Sequence, residues 1–275
     1  MKTIIVATDY SSDANNAVKY AAALARYINS KIVLFNSFKL SVHAVNARLS
    51  ASTIDGLIAA NKKRLKDIAA KVCDTYGICV ECVTRTSDFK EELDFQVERL
   101  KADLVVMGMS EIYSDNEYEN TTTSIIRHAR YPVLAIPENA SFEGFSKILF
   151  AFDSGCICAE NKLSLLKEVS AFFDAQVQIY HIEKNRKSII TTENNKNKVA
   201  FDIETLLNEV NHSYEDVTED DVIRGIERGI KKSEADLLVM VHHKCGLWEG
   251  LLHKSKTSKM ARRTHIPLLA LPNPN

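Results

Sequence analysis

The chain repeats itself. "ADLVVMG" at 102–108 returns as "ADLLVMV" at 235–241, and "KTIIVATDYSS" at 2–12 returns as "SKILFAFDSGC" at 146–156. "SKIVLFN" (30–36) is followed in the same way by "AQVQIYH" (175–181), and "RHARYPVLAIP" (127–137) by "ARRTHIPLLALP" (261–272). Four landmarks kept in order make the chain an internal duplication. At 275 residues each half has the length of a domain that can bury its own core, and the boundaries expected are 1–140 and 145–275.

Between the landmarks lie helical spacings. Val18, Ala21, Ala22, Ala25 and Ile28 share one helix face, with Ser11, Ser12 and Asp13 as candidate caps, and Leu163, Leu166, Val169 and Phe173 repeat the pattern. Runs such as "DLVVM" and "DLLVM" are apolar at nearly every position, as in strands covered on both faces of a parallel sheet. The expected strands are 3–8, 31–36, 78–84, 103–107 and 133–136, then 147–152, 176–182, 211–216, 236–241 and 268–271. A long helix is expected over 53–76. The second copy is about a dozen residues shorter between its second and fourth strands, a loss that a crossover outside the sheet tolerates. Right-handed crossovers with one reversal of winding predict an α/β fold of two tandem doubly wound five-stranded parallel sheets, order 3-2-1-4-5. Ligands of such sheets bind beyond the carboxyl ends of the strands, at the reversal between strands 1 and 4. That crevice is bordered by the segments after Asp9 and Gly108 in copy one, and after Asp153 and Val241 in copy two.

An opening strand ending in Asp, a late "DLVVMG" and a closing "RHARYPVLAIP" together resemble the universal stress protein family, twice over and across almost the whole chain. The resemblance implies a flavodoxin-like or adenine-nucleotide-hydrolase-like sheet. It also implies pairing of two units through their last strands, here as an intramolecular pseudo-dimer with a further homodimer left open, and, in one subgroup, ATP binding with an aspartate near the adenine and ribose. That subgroup carries Gly, two residues, Gly, nine residues, Gly and then Ser or Thr. Glycines let the backbone approach ribose and phosphates, and the hydroxyl stands at a helix N-terminus whose N–H groups accept anionic oxygen. Copy one matches Gly108 and then meets Glu111; counted back from "RHA", the last glycine and the hydroxyl fall on Glu119 and Asn120. Copy two keeps the spacing with Val241, Lys244 and Lys254 at the glycine positions and Ser255 at the hydroxyl.

Charge separates the copies. Residues 109–119 hold Glu111, Asp115, Glu117 and Glu119 with no Lys or Arg, and such charges about 4 to 8 Å from a triphosphate oppose it by some kcal/mol even at an effective dielectric near 20. Residues 242–259 hold Lys244, Lys254, Lys256 and Lys259 against Glu249. The candidate ligand residues are therefore Asp153, Lys244, Lys254 and Ser255 in copy two, for ATP or another anion, with Asp9 and Gly108 their counterparts in copy one. Asp9 and Asp153 also read as loop carboxylates that cap a helix. Cys156, His242 and Cys245 flank the same crevice and form a thiolate and imidazole set suited to zinc or copper, without the spacing of an established motif. Cys79 and Cys82 lie in a strand pattern that sends them to opposite faces, unlike a redox pair at a helix start. Thr121, Thr122, Thr123 and Ser124 read as helix-cap chemistry, with phosphorylation the alternative.

The remaining exclusions come from the totals. A net charge of −1 gives no pull toward nucleic acid or anionic lipid, and the polar segment 183–201 lacks aromatic residues interleaved for base stacking. No apolar run approaches a membrane span, and six cysteines suit reduced thiols in a cytoplasmic protein. The reading is a non-enzymatic cytoplasmic stress-response binding protein with degenerate ATP motifs. A slow nucleotide hydrolase or transferase using Asp153, Lys254 and Ser255, and a pure interaction scaffold, are the alternatives.

Overall fold

The computed structural model describes residues 1–38, 50–109, 120–152, 163–183, 207–241 and 256–272. In chain order the elements are β1 (Thr3–Ala7), α1 (Ser12–Ile28), β2 (Lys31–Ser37), α2 (Ala51–Tyr76), β3 (Val80–Arg85), α3 (Phe89–Leu100), β4 (Leu104–Met109), α4 (Thr121–His128) and β5 (Val133–Pro137). They continue as β6 (Lys147–Phe152), α5 (Ser164–Phe173), β7 (Gln176–Glu183), β8 (His212–Thr218), α6 (Val222–Ser233), β9 (Leu237–Val241), α7 (Lys256–Ala261) and β10 (Leu268–Leu271).

Contacts divide the chain into two compact units, one of residues 1–110 with 138–142 and one of residues 111–137 with 143–275. In the first unit the strand order is β3-β2-β1-β4, all parallel. In the second it is β5-β10-β9-β6-β7-β8, parallel except where β10 meets β5. The fold is the doubly wound α/β sheet of order 3-2-1-4-5 in each repeat, with β1 and β6 at the two reversals. Strand β5 clusters with the second unit because it pairs antiparallel with β10, Leu134 opposite Leu269.

Burial follows strand position. All residues of β1, β5 and β9 are buried, as their near-continuous aliphatic runs require. The outermost strands β3 and β8 are half-exposed and carry Glu81, Arg85, Glu215 and Asp216, charges that discourage pairing with a further strand.

The repeated "AD" of the two landmarks has a structural cause. Asp103 Oδ2 accepts from the backbone N–H of Lys2 at 2.7 Å and of Thr3 at 2.9 Å, tying the start of β4 to the start of β1. Asp236 Oδ2 does the same for β6, accepting from Ser146 N at 2.7 Å and Lys147 N at 3.1 Å. The helix ends repeat as well. Asn29 and Asp174 close α1 and α5 with φ of 54° and 52°, and Lys101 and Glu234 close α3 and α6 with φ of 48° and 53°. Each is a left-handed cap whose N–H returns to a carbonyl of the last turn.

Candidate functional site

In the first unit the reversal between β1 and β4 brings Asp9 and Gly108 to the same end of the sheet. Asp9 is exposed, and its Oδ1 accepts from Ser11 N at 3.0 Å. Ser11 in turn is the cap of α1, its Oγ accepting from Ala14 N at 3.2 Å. Gly108 is the next-to-last residue of β4. A Cβ placed on it would lie 2.5 Å from the backbone carbon and oxygen of Asp13 and 2.8 Å from Ala14 N. The first turn of α1 therefore occupies the space that the absent side chain leaves.

Beside this reversal a polar network joins the ends of β1 and β2 to α2. Buried Asn36 donates through Nδ2 to the Thr8 carbonyl at 2.7 Å and accepts at Oδ1 from Asn61 Nδ2, also at 2.7 Å. Tyr10 follows Asp9 in the left-handed region, φ 69°, a conformation unusual for a bulky residue. Its N–H donates to Thr8 Oγ1 at 3.1 Å, its carbonyl accepts from Asn15 Nδ2 at 3.2 Å, and its hydroxyl donates to the Asn61 carbonyl at 3.3 Å. The Arg64 guanidinium lies 4.1 Å from the centre of the Tyr10 ring. Burial pushes the Tyr10 phenol pKa up, with the Arg64 charge opposing. Nearby Cys82 lies on β3 with its thiol directed to the Leu65 carbonyl of α2, and burial raises its pKa too; Cys79 precedes the strand and is exposed.

The start of α4 is where the family pattern puts its phosphate-binding hydroxyl. There Asn120 is the cap: its Oδ1 accepts from Thr123 N at 2.8 Å, while Thr123 Oγ1 donates to the Asn120 carbonyl at 3.0 Å. Thr122 and Thr123 are buried, leaving Thr121 exposed in the first turn. An N–H that would otherwise face an anion is thus held by the protein's own side chain.

In the second unit Phe152 ends β6, and its ring stacks on His181 at 4.9 Å. His181 is buried, and its Nδ1 lies 2.7 Å from Asp216 Oδ1, to which the Tyr214 hydroxyl also donates at 3.0 Å. His181 occupies the repeat position of Asn36, the last residue of the "SKIVLFN" and "AQVQIYH" landmarks. Neither the Asn36–Asn61 link nor the His181–Asp216 pair is singled out by sequence reasoning. The signal available was the matched polar residue closing each apolar run. Asp153, Lys244, Lys254 and Ser255, and the metal candidates Cys156, His242 and Cys245, lie outside the described residues.

Residues 1–137 match the model of the universal stress protein family. A universal stress protein of Synechocystis is 23% identical to this chain, over 98% of it and 99% of that protein. Among solved structures, a universal stress protein from Archaeoglobus fulgidus has a TM-score of 0.77 at 16% identity, covering 98% of this chain and 97% of that one. A universal stress protein from Pseudomonas aeruginosa, so described provisionally, has a TM-score of 0.62 at 17% identity, covering 99% and 93%. Duplicated landmarks, two doubly wound repeats and these whole-length likenesses converge: the chain belongs to the universal stress protein family, as a member built of two tandem domains.

Proposed function

We propose that this chain is a non-enzymatic, cytoplasmic binding protein of the stress response, with domains at 1–140 and 145–275, whose first repeat is structural and whose second carries any small-molecule site. The observation that carries this reading is the start of α4, where the Asn120 side chain holds the Thr123 N–H at 2.8 Å. In the first repeat Gly108 faces the α1 backbone, and the intervening residues 110–119 add only carboxylates to the charge balance. In the second repeat, Asp153, Lys244, Lys254 and Ser255 supply a basic and hydroxyl-bearing set for ATP or another anion, with both glycine-lined motifs degenerate. Antiparallel pairing of β5 with β10 supports an intramolecular pseudo-dimer. No described helix is long and apolar enough to cross a membrane.

Thermal unfolding of the full chain with ATP, ADP, AMP and sulfate tests the reading. A ligand at about a hundred times its Kd stabilises by about 2.7 kcal/mol. Stabilisation by at least one of these anions is expected, lost in Lys254→Glu and retained in Asn120→Ala. Stabilisation that survives Lys254→Glu intact would place the ligand elsewhere and overturn the assignment. Phosphate release from ATP above a protein-free control would overturn the non-enzymatic reading.

A further inference from the structure

Helix α2 is longer than the sheet it packs on. Leu65 lies at the level of Cys82, whose thiol meets the Leu65 carbonyl, and Asn61 lies at the level of Asn36 near the end of β2. Residues 51–60, about 15 Å of helix, therefore run on past the carboxyl ends of the strands. From residue 52 to residue 64 no side chain is buried, whereas Leu65 is 0% exposed and Ala69 and Val72 follow it into the core. The apolar stripe of Ile54, Leu57 and Ile58 continues along this projecting half, with Leu57 46% exposed. Where so little apolar surface is covered, packing alone does not hold a helix in place.

Among the described residues, polar contacts meet the root of this projection. The Tyr10 hydroxyl bonds the Asn61 carbonyl, the Arg64 guanidinium covers the Tyr10 ring, and the Asn61 amide bonds Asn36. Tyr10 reaches these partners from a left-handed backbone that costs an L-residue about 1–2 kcal/mol. Its N–H and carbonyl are both held, by Thr8 Oγ1 and Asn15 Nδ2. A strained residue whose side chain is spent on the exposed half of a helix is a latch in form.

We propose that residues 52–64 of α2 are an arm that opens as a unit, independently of residues 65–76, and that Tyr10 is its latch. Opening separates Asn61 from Asn36 and uncovers the carboxyl ends of β1 and β2. The inference concerns the first repeat alone and stands whether or not the second binds an anion.

Native-state hydrogen–deuterium exchange on the full chain tests it, with Arg64→Ala, Tyr10→Phe and Tyr10→Gly. One hydrogen bond and one exposed cation–π contact together correspond to about a tenfold change in an opening equilibrium. Exchange over residues 55–64 is expected to rise about tenfold in Tyr10→Gly and by a smaller factor in each of the other two, with residues 65–76, Ile4 and Ile5 of β1, and Ile32 and Val33 of β2 unchanged. Glycine also relieves the left-handed backbone, so the global unfolding midpoint of Tyr10→Gly is expected to hold or rise. A merely structural tyrosine would instead lower that midpoint and speed exchange throughout the unit. That outcome overturns the proposal, as do an unchanged rate over 55–64 in Tyr10→Gly and unprotected amides there in the wild-type chain. Arg64 is exposed, so Arg64→Ala keeps the test open should a Tyr10 variant fail to fold.

Discussion

Gly108 and Val241 hold the same place in the repeat. Behind Gly108 the backbone of Asp13 and Ala14 approaches to distances no Cβ tolerates. Because the obstruction is main chain, rotamer changes cannot relieve it. Gly108→Ala is expected to destabilise the chain by about 3 kcal/mol, the upper end for overpacking, measured by urea denaturation with the native far-UV spectrum retained. Val241 closes β9 with a buried side chain, and α5 is described only from Ser164 onward; the residues aligned with Asp13 and Ala14 fall within 153–162. From the sequence Gly108 reads as a residue that lets something come close. Ligand backbone approach and helix packing both demand glycine, so the residue type does not distinguish them; the structure places α1 there. Asp9, read from sequence as either a ligand or a capping carboxylate, meets the N–H of the capping residue Ser11.

Among the elements, α3 shows how a charged side chain secures a helix to an edge strand. Asp88 caps it through Lys90 N and Glu91 N, and Glu92 accepts from Arg85 Nε of β3 at 2.9 Å, Gln96 Nε2 at 2.6 Å and Ser87 Oγ at 3.3 Å. Burial alone would raise the Glu92 pKa, but the three donors and the Arg85 charge outweigh it and hold the carboxyl below the ordinary carboxylate range. A folded-state pKa below the unfolded value means stability that is present above the unfolded pKa and lost as pH falls through the folded one. The stability gap between wild type and Glu92→Gln is expected at neutral pH and should close as pH drops below about 4; a gap that persists into strong acid would show that ionisation is not what Glu92 contributes. Element positions were largely legible because apolar runs and helical spacings are set within a few residues. The ends shifted where that signal fades. The strand expected at 211–216 is His212–Thr218, and the one expected at 78–84 is Val80–Arg85. Both are outermost strands whose mixed composition does not mark where pairing stops. The helix expected from residue 53 starts at Ala51, because Ser50 supplies the cap.

At the scale of the whole molecule, the closing strands pair antiparallel, with Leu268, Leu269 and Ala270 opposite Ala135, Leu134 and Val133. Pairing through the last strands was legible from the resemblance to the family, which implies it. The link from Asn36 to Asn61 was not legible: the partners are 25 residues apart in the chain and come together only when α2 docks on β2. The seam between repeats and the seam between compact units also differ, because β5 is encoded with the first repeat and hydrogen-bonded within the second unit. A gene cut at residue 140 would strand β5 without its β10 partner. Fragment 1–140 is then expected to self-associate, giving about twice its own mass in light scattering, an orphaned ladder being a template for its own kind, and to return to a one-to-one heteromer when the remaining piece is supplied. Divergence of either closing strand is thereby checked by the need to keep the β5–β10 ladder zipped.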